Sequence, residues 1–134
     1  MRHLIRNAGI GAIAAAAGQL AVVPAGLATT AWAERHSFGL MHWIHPPGWL
    51  SPILAFLLLD FTFYYWHRLN HAVPLLWRFH NVHHVDTDMD VTTALRFHFG
   101  EVAFSSLFRI VQLGLLGVST ATYLLFEIVF GAAV

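Results

Sequence analysis

The chain has 134 residues, of which 57% are hydrophobic and only 10% charged, and seven basic side chains balance seven acidic ones. So few charges cannot cover a water-soluble domain of this size, and neutrality without a basic stretch excludes nucleic-acid binding and charge-driven disorder. Cysteine is absent and every basic residue is Arg, which removes disulfides, thiolate ligands, Schiff-base lysines and the P-loop lysine. The composition places most of the chain in lipid, and its segments taken in order predict an all-α, multi-pass integral membrane bundle of about four transmembrane or re-entrant helices, with a His-rich helical segment on the cytoplasmic side.

In chain order, the first element is an uncharged stretch of residues 8–33, preceded by Arg2, His3 and Arg6. A secretory signal would share the basic start and the Ala31-Trp32-Ala33 cleavage pattern. The apolar stretch is about twice too long for that, and it predicts a retained transmembrane helix that tolerates Pro24. Residues 34–48 follow, with Trp32, Trp43 and Trp49 around Pro46 and Pro47. This is the composition of a membrane–water interface, where His36, His42 and His45 read as interfacial polar groups.

A second helix is predicted over residues 51–71, apolar through Leu59 and then aromatic and polar, with Pro74 stopping it. Residues 73–101 are the most polar part and hold Asp86, Asp88, Asp90 and Arg96, which suits an extramembrane segment. From residue 102 the chain is apolar again apart from Arg109 and Glu127. Gly117-Val118-Ser119 predicts a tight turn, so that residues 102–134 form a membrane hairpin. With the first two helices as a down-up pair, Arg2, Arg6, Arg68, Arg78 and Arg96 share one face, which the positive-inside rule makes cytoplasmic.

The ten His outnumber all basic residues, and five of them fall between His67 and His84. At 100° per residue, Asp60, Tyr64, His67 and His71 lie at about 0°, 40°, −20° and 20°, a fan of about 60°. Two His four apart on one face can hold a metal, and a carboxylate can orient such a ligand through its ring N–H. Asp60 could equally be a buried group paired with Arg68 or a Tyr hydroxyl. His80, His83 and His84 would fan over about 100° if helical, wide enough to serve adjacent metals. Imidazole suits iron, zinc, copper and nickel, so ligand type does not choose among them. His98 and Glu101, three apart, could share a helix face and support the site.

Residues 60–101 resemble the fatty acid hydroxylase superfamily, which includes sterol desaturases and C-4 methyl sterol oxidases. The resemblance rests on Asp60-x-x-x-Tyr64-x-x-His67-Arg68-x-x-His71, on Pro74-Leu75-Leu76-Trp77-Arg78-Phe79-His80-Asn81-Val82-His83-His84, on Asp86 to Thr93, and on Arg96-x-His98-x-x-Glu101. It implies a membrane-bound, non-haem di-iron oxidoreductase that uses O2 to hydroxylate or desaturate a fatty acyl or sterol-like lipid, fed by a separate electron-donor reductase. His67, His71, His80, His83 and His84 would then be metal ligands, with Asp60, Tyr64, His98 and Glu101 supporting them. Iron is the implied metal and zinc a substitute. Two features depart from the family's pattern: Phe99 follows His98 where Pro is common, and no His follows His98. The second departure predicts a C-terminally truncated member, either a fragment or a degenerate copy. The competing readings are a catalytically incomplete metal-binding remnant and a b-type haem protein with axial His on two helices.

Overall fold

The computed structural model describes residue 20, residues 22–84 and residues 98–133, and the described part is helical throughout, without a strand. Helix α1 covers residues 22–35 and runs through Pro24. It is followed by α2 (Leu40–Ile44), α3 (Ser51–Ala72), α4 (Pro74–His84), α5 (Phe99–Leu116) and α6 (Thr120–Ala133). Residues 8–19, Asp86, Asp88, Asp90 and Arg96, on which part of the sequence reading rests, lie outside the described residues.

α3 ends one residue beyond the sequence expectation, and the reason is local. Val73 turns to an extended conformation at the C-cap, and its N–H still donates to the Leu69 carbonyl. Extended backbone is what a residue before proline prefers, and Pro74 then starts α4 where its missing N–H costs nothing. The helix therefore breaks once and restarts at an angle. That restart brings α4 back onto α3.

The turn between α5 and α6 is built on two glycines from distant parts of the chain. Gly117 caps α5 in the left-handed region at φ 64°, with its N–H donating to the Leu113 carbonyl at 3.0 Å. Gly39, at φ 104°, precedes α2, and a Cβ on either glycine would collide with the backbone of the other's segment. Side chains are excluded by both conformation and space, so the α1–α2 link seats directly on the α5–α6 turn. Glu34 adds to this junction: its carboxylate accepts from the Thr120 N–H at 3.0 Å, capping the start of α6.

α3 packs against α4, α5 and α6. Ala55 and Leu59 of α3, Leu113 and Leu116 of α5, and Tyr123 and Phe126 of α6 form the core together with Met41 and Val118. Many large apolar side chains nevertheless face outward, among them Ile53, Leu57, Phe61, Leu107, Val111, Leu115 and Ile128. A soluble monomer rarely leaves apolar patches of that extent uncovered. Among the described residues, one helix, Phe99–Leu116, is long and apolar enough to cross a membrane.

Candidate metal centre

The C-terminal end of α3 and the length of α4 meet at a cluster of imidazoles. His67 and His71 are one turn apart on α3, and His80 and His84 one turn apart on α4, so each helix presents a pair from one face. The four Nε2 atoms form a continuous chain. His67 Nε2 lies 3.2 Å from His71 Nε2, which lies 3.3 Å from His80 Nε2, which lies 3.3 Å from His84 Nε2. His83 belongs to α4, and its side chain lies outside the described part of the structure.

These contacts cannot all be hydrogen bonds. A ring nitrogen has one in-plane orbital, holding either a proton or a lone pair, and so serves one partner. His71 Nε2 and His80 Nε2 each have two partners. A cation among His67, His71 and His80 resolves the conflict, because neighbouring lone pairs repel less beside a positive charge. The spacing fits as well, since imidazole nitrogens about 2.0–2.1 Å from a tetrahedral metal are about 3.3 Å from one another. His67, His71 and His80 each offer a ligand atom within 4.8 Å of the others. A b-type haem does not fit this arrangement, because axial nitrogens lie about 4 Å apart across a macrocycle, twice a metal–imidazole bond.

The tautomer of His80 is set from behind. Glu101, buried in the first turn of α5, has Oε1 2.6 Å from His80 Nδ1. A carboxylate there holds the proton on Nδ1 and leaves the Nε2 lone pair for a metal. Gly100 makes the approach possible, since a Cβ there would lie 2.7 Å from the Phe79 ring. Phe79 therefore packs directly on the backbone of α5, and His80 is carried to Glu101. On the other side, Trp66 Nε1–H donates to Ser105 Oγ at 3.0 Å, and its ring stacks on Phe108. α5 is thus fixed against α3 next to His67 and against α4 next to His80.

The remaining sequence candidates lie elsewhere. His98 does not share a helix face with Glu101: it stands at the N-cap of α5, and its Nδ1 accepts from the Gly100 N–H at 2.9 Å. The helix begins only at Phe99, so the three-residue spacing spans its boundary. Asp60 and Tyr64 are exposed on α3, and neither has a hydrogen bond to His67 or His71 among the described residues. Asp60 also lacks the pairing with Arg68 or a tyrosine hydroxyl considered from the sequence. α4 covers only the last turns of α3, and Asp60 lies about 10 Å along the axis from His67.

Sequence reading passed over Trp77. Its ring lies 5.3 Å from that of His71, 6.2 Å from His80 and 5.6 Å from His84, forming one wall of the cluster. The signal was its spacing to His80 and His84, three and seven residues, which places all three on one side of a helix.

Fold and cluster define an all-helical protein with an imidazole site suited to a metal. The family model for fatty acid hydroxylase matches residues 52–134, and the chain belongs to that family. It is similar to alkylglycerol monooxygenase from Xenopus tropicalis, 41% identical over 66 residues, which cover 49% of this chain and 14% of that protein. Human cholesterol 25-hydroxylase is 31% identical over 103 residues, 67% of this chain and 38% of that protein. Ornithine lipid hydroxylase OlsE from Rhizobium tropici is 35% identical over 72 residues, 54% of this chain and 22% of that protein. The chain thus spans well under half the length of these curated relatives. No solved structure gives a significant match.

Proposed function

We propose that this chain carries the metal site of a membrane-bound, O2-dependent lipid hydroxylase. The carrying observation is the run of four Nε2 atoms at 3.2–3.3 Å, which makes chemical sense around a cation. The relatives' names specify lipid oxidation of three kinds, on an alkylglycerol, on cholesterol and on an ornithine lipid.

In this reading His67, His71, His80 and His84 hold non-haem iron, with His83 as the fifth imidazole from α4. Two irons are proposed, and they need ligands beyond these five to complete both coordination spheres. Zinc would occupy the same imidazoles without redox chemistry. When bound, iron would supply the activation of O2 toward a lipid C–H bond. The balanced reaction takes the lipid, O2, two electrons and two protons to the hydroxylated lipid and water, and a separate reductase supplies the electrons.

The chain's own residues prepare the site. Glu101 keeps the His80 proton on Nδ1, Trp77 packs against the rings of His71, His80 and His84, and the Trp66–Ser105 bond holds α3 in register with α5. The first half of α3 and the α5–α6 hairpin lie in the bilayer, with the imidazoles at the cytoplasmic face near Arg68 and Arg78. The test is incubation of the iron-loaded full chain with reductant, membrane lipids and ¹⁸O2, followed by mass spectrometry. Incorporation of one ¹⁸O atom into a lipid is expected. Oxygen uptake with no labelled lipid would overturn the reading.

A further inference from the structure

α3 divides into three sectors around its axis. Taking Asp60 as zero, Ala55, Leu59, Thr62, Trp66 and Asn70 lie between about −160° and −80° and face the bundle. His67 and His71 lie near zero, at the edge of that face. Leu57, Phe61 and Tyr64, between about 40° and 100°, are more than half exposed, at 58%, 57% and 55%. With Leu54, Leu58 and Asp60 they line a shallow, open groove of about 570 Å³ along α3.

Asp60 is the anomaly in this groove. Its carboxylate is exposed on an otherwise apolar flank and has no hydrogen-bond or ionic partner among the described residues. An ionisable side chain in an apolar span is costly and by default marks a functional position. The sequence suggested that it orients a histidine, but the structure places it about 10 Å along the helix from His67, on the same line as both α3 imidazoles. Apolar walls with one acceptor fit a ligand that is mostly hydrocarbon and bears one donor.

Resting on the hydroxylase reading, we propose that this groove is the bed of the lipid substrate and that Asp60 accepts a hydrogen bond from a hydroxyl on it. The lipid lies along α3 with its hydroxyl at Asp60, its chain over the Tyr64 end of the groove and the carbon to be oxidised beside His67 and His71. Asp60 is then a specificity residue. It selects hydroxyl-bearing lipids and fixes the distance between hydroxyl and reacting carbon.

Binding is tested apart from oxidation by using the zinc-loaded full chain in nanodiscs. A diazirine analogue of octadecanol is cross-linked, with octadecanol, octadecyl methyl ether or octadecylammonium as competitor. Octadecanol should compete at about tenfold lower concentration than the ether, as loss of one charge-assisted hydrogen bond predicts. The cross-link should map to α3. Asp60→Leu should bring the two competitors within threefold of each other without weakening the ether, and Asp60→Asn, which preserves shape, should reduce the preference in the same direction. A preference that survives both substitutions would overturn the proposal. So would a cross-link outside α3, or octadecylammonium competing tenfold better than octadecanol, which would make this a cation site. If Asp60-dependent preference is found and the iron-loaded chain still oxidises no lipid, the hydroxylase reading fails while the groove assignment stands.

Discussion

Two polar clusters sit in this apolar bundle, and they obey different rules. Between α3, α5 and α6, Arg109 Nη1 donates to Gln112 Oε1 at 2.9 Å. Gln112 Nε2 donates to the Leu59 carbonyl at 3.0 Å and also to Thr62 Oγ1, whose own proton goes to the Leu58 carbonyl. The Arg109 guanidinium lies over the rings of Phe63 and Phe126, with Glu127 3.6 Å away. At its centre the Gln112 amide has two protons and an acceptor for each, although Glu127 Oε1 and the Tyr123 hydroxyl beside Arg109 have no hydrogen-bond partner among the described residues. At the α3–α4 junction, two ring nitrogens have one orbital and two partners each. An amide with an acceptor for each proton is a fastener, whereas ring nitrogens with competing partners form a group that could hold a metal ion.

Removing single members should separate the two. His71→Ala takes away the nitrogen shared between α3 and α4, and metal retention through size-exclusion chromatography in detergent should be lost while the helical content by circular dichroism stays. Glu101→Ala leaves all four imidazoles but frees the His80 tautomer, and metal affinity should fall about 10–100-fold in a competitive chelator titration. Gln112→Leu should behave oppositely. It removes the Arg109 Nη1 acceptor and the donor to Thr62 Oγ1, which should lower stability by about 1–3 kcal/mol in a detergent unfolding assay, and it should leave metal affinity unchanged. If Gln112→Leu weakens metal binding as much as Glu101→Ala does, the two clusters are one unit and the distinction fails.

What the sequence revealed follows from which contacts are local. The pairing of His67 with His71 is legible from four-residue spacing, and the α5–α6 turn from Gly117, because each depends on a few neighbouring residues. The meeting of His80 with Glu101 depends on Gly100 admitting Phe79, a contact across 21 residues that no periodicity encodes. The angular position of Asp60 is correct in the helical wheel, but a wheel has no axial coordinate, and α4 reaches only the end of α3. That α5 starts at Phe99, with His98 as its N-cap beside the Phe79 ring, was not legible because a helix start cannot be fixed to one residue from spacing alone. The short helix α2 was missed because its position depends on the Gly39–Gly117 approach and not on its own five residues.

The most direct test of the metal centre is an anaerobic cobalt(II) titration of the purified full chain, followed by visible d–d absorption. Saturable absorption characteristic of nitrogen-ligated cobalt, abolished by His71→Ala and unaffected by Gln112→Leu, is the predicted result. Equal cobalt uptake and equal spectra in the parent chain and His71→Ala would contradict it.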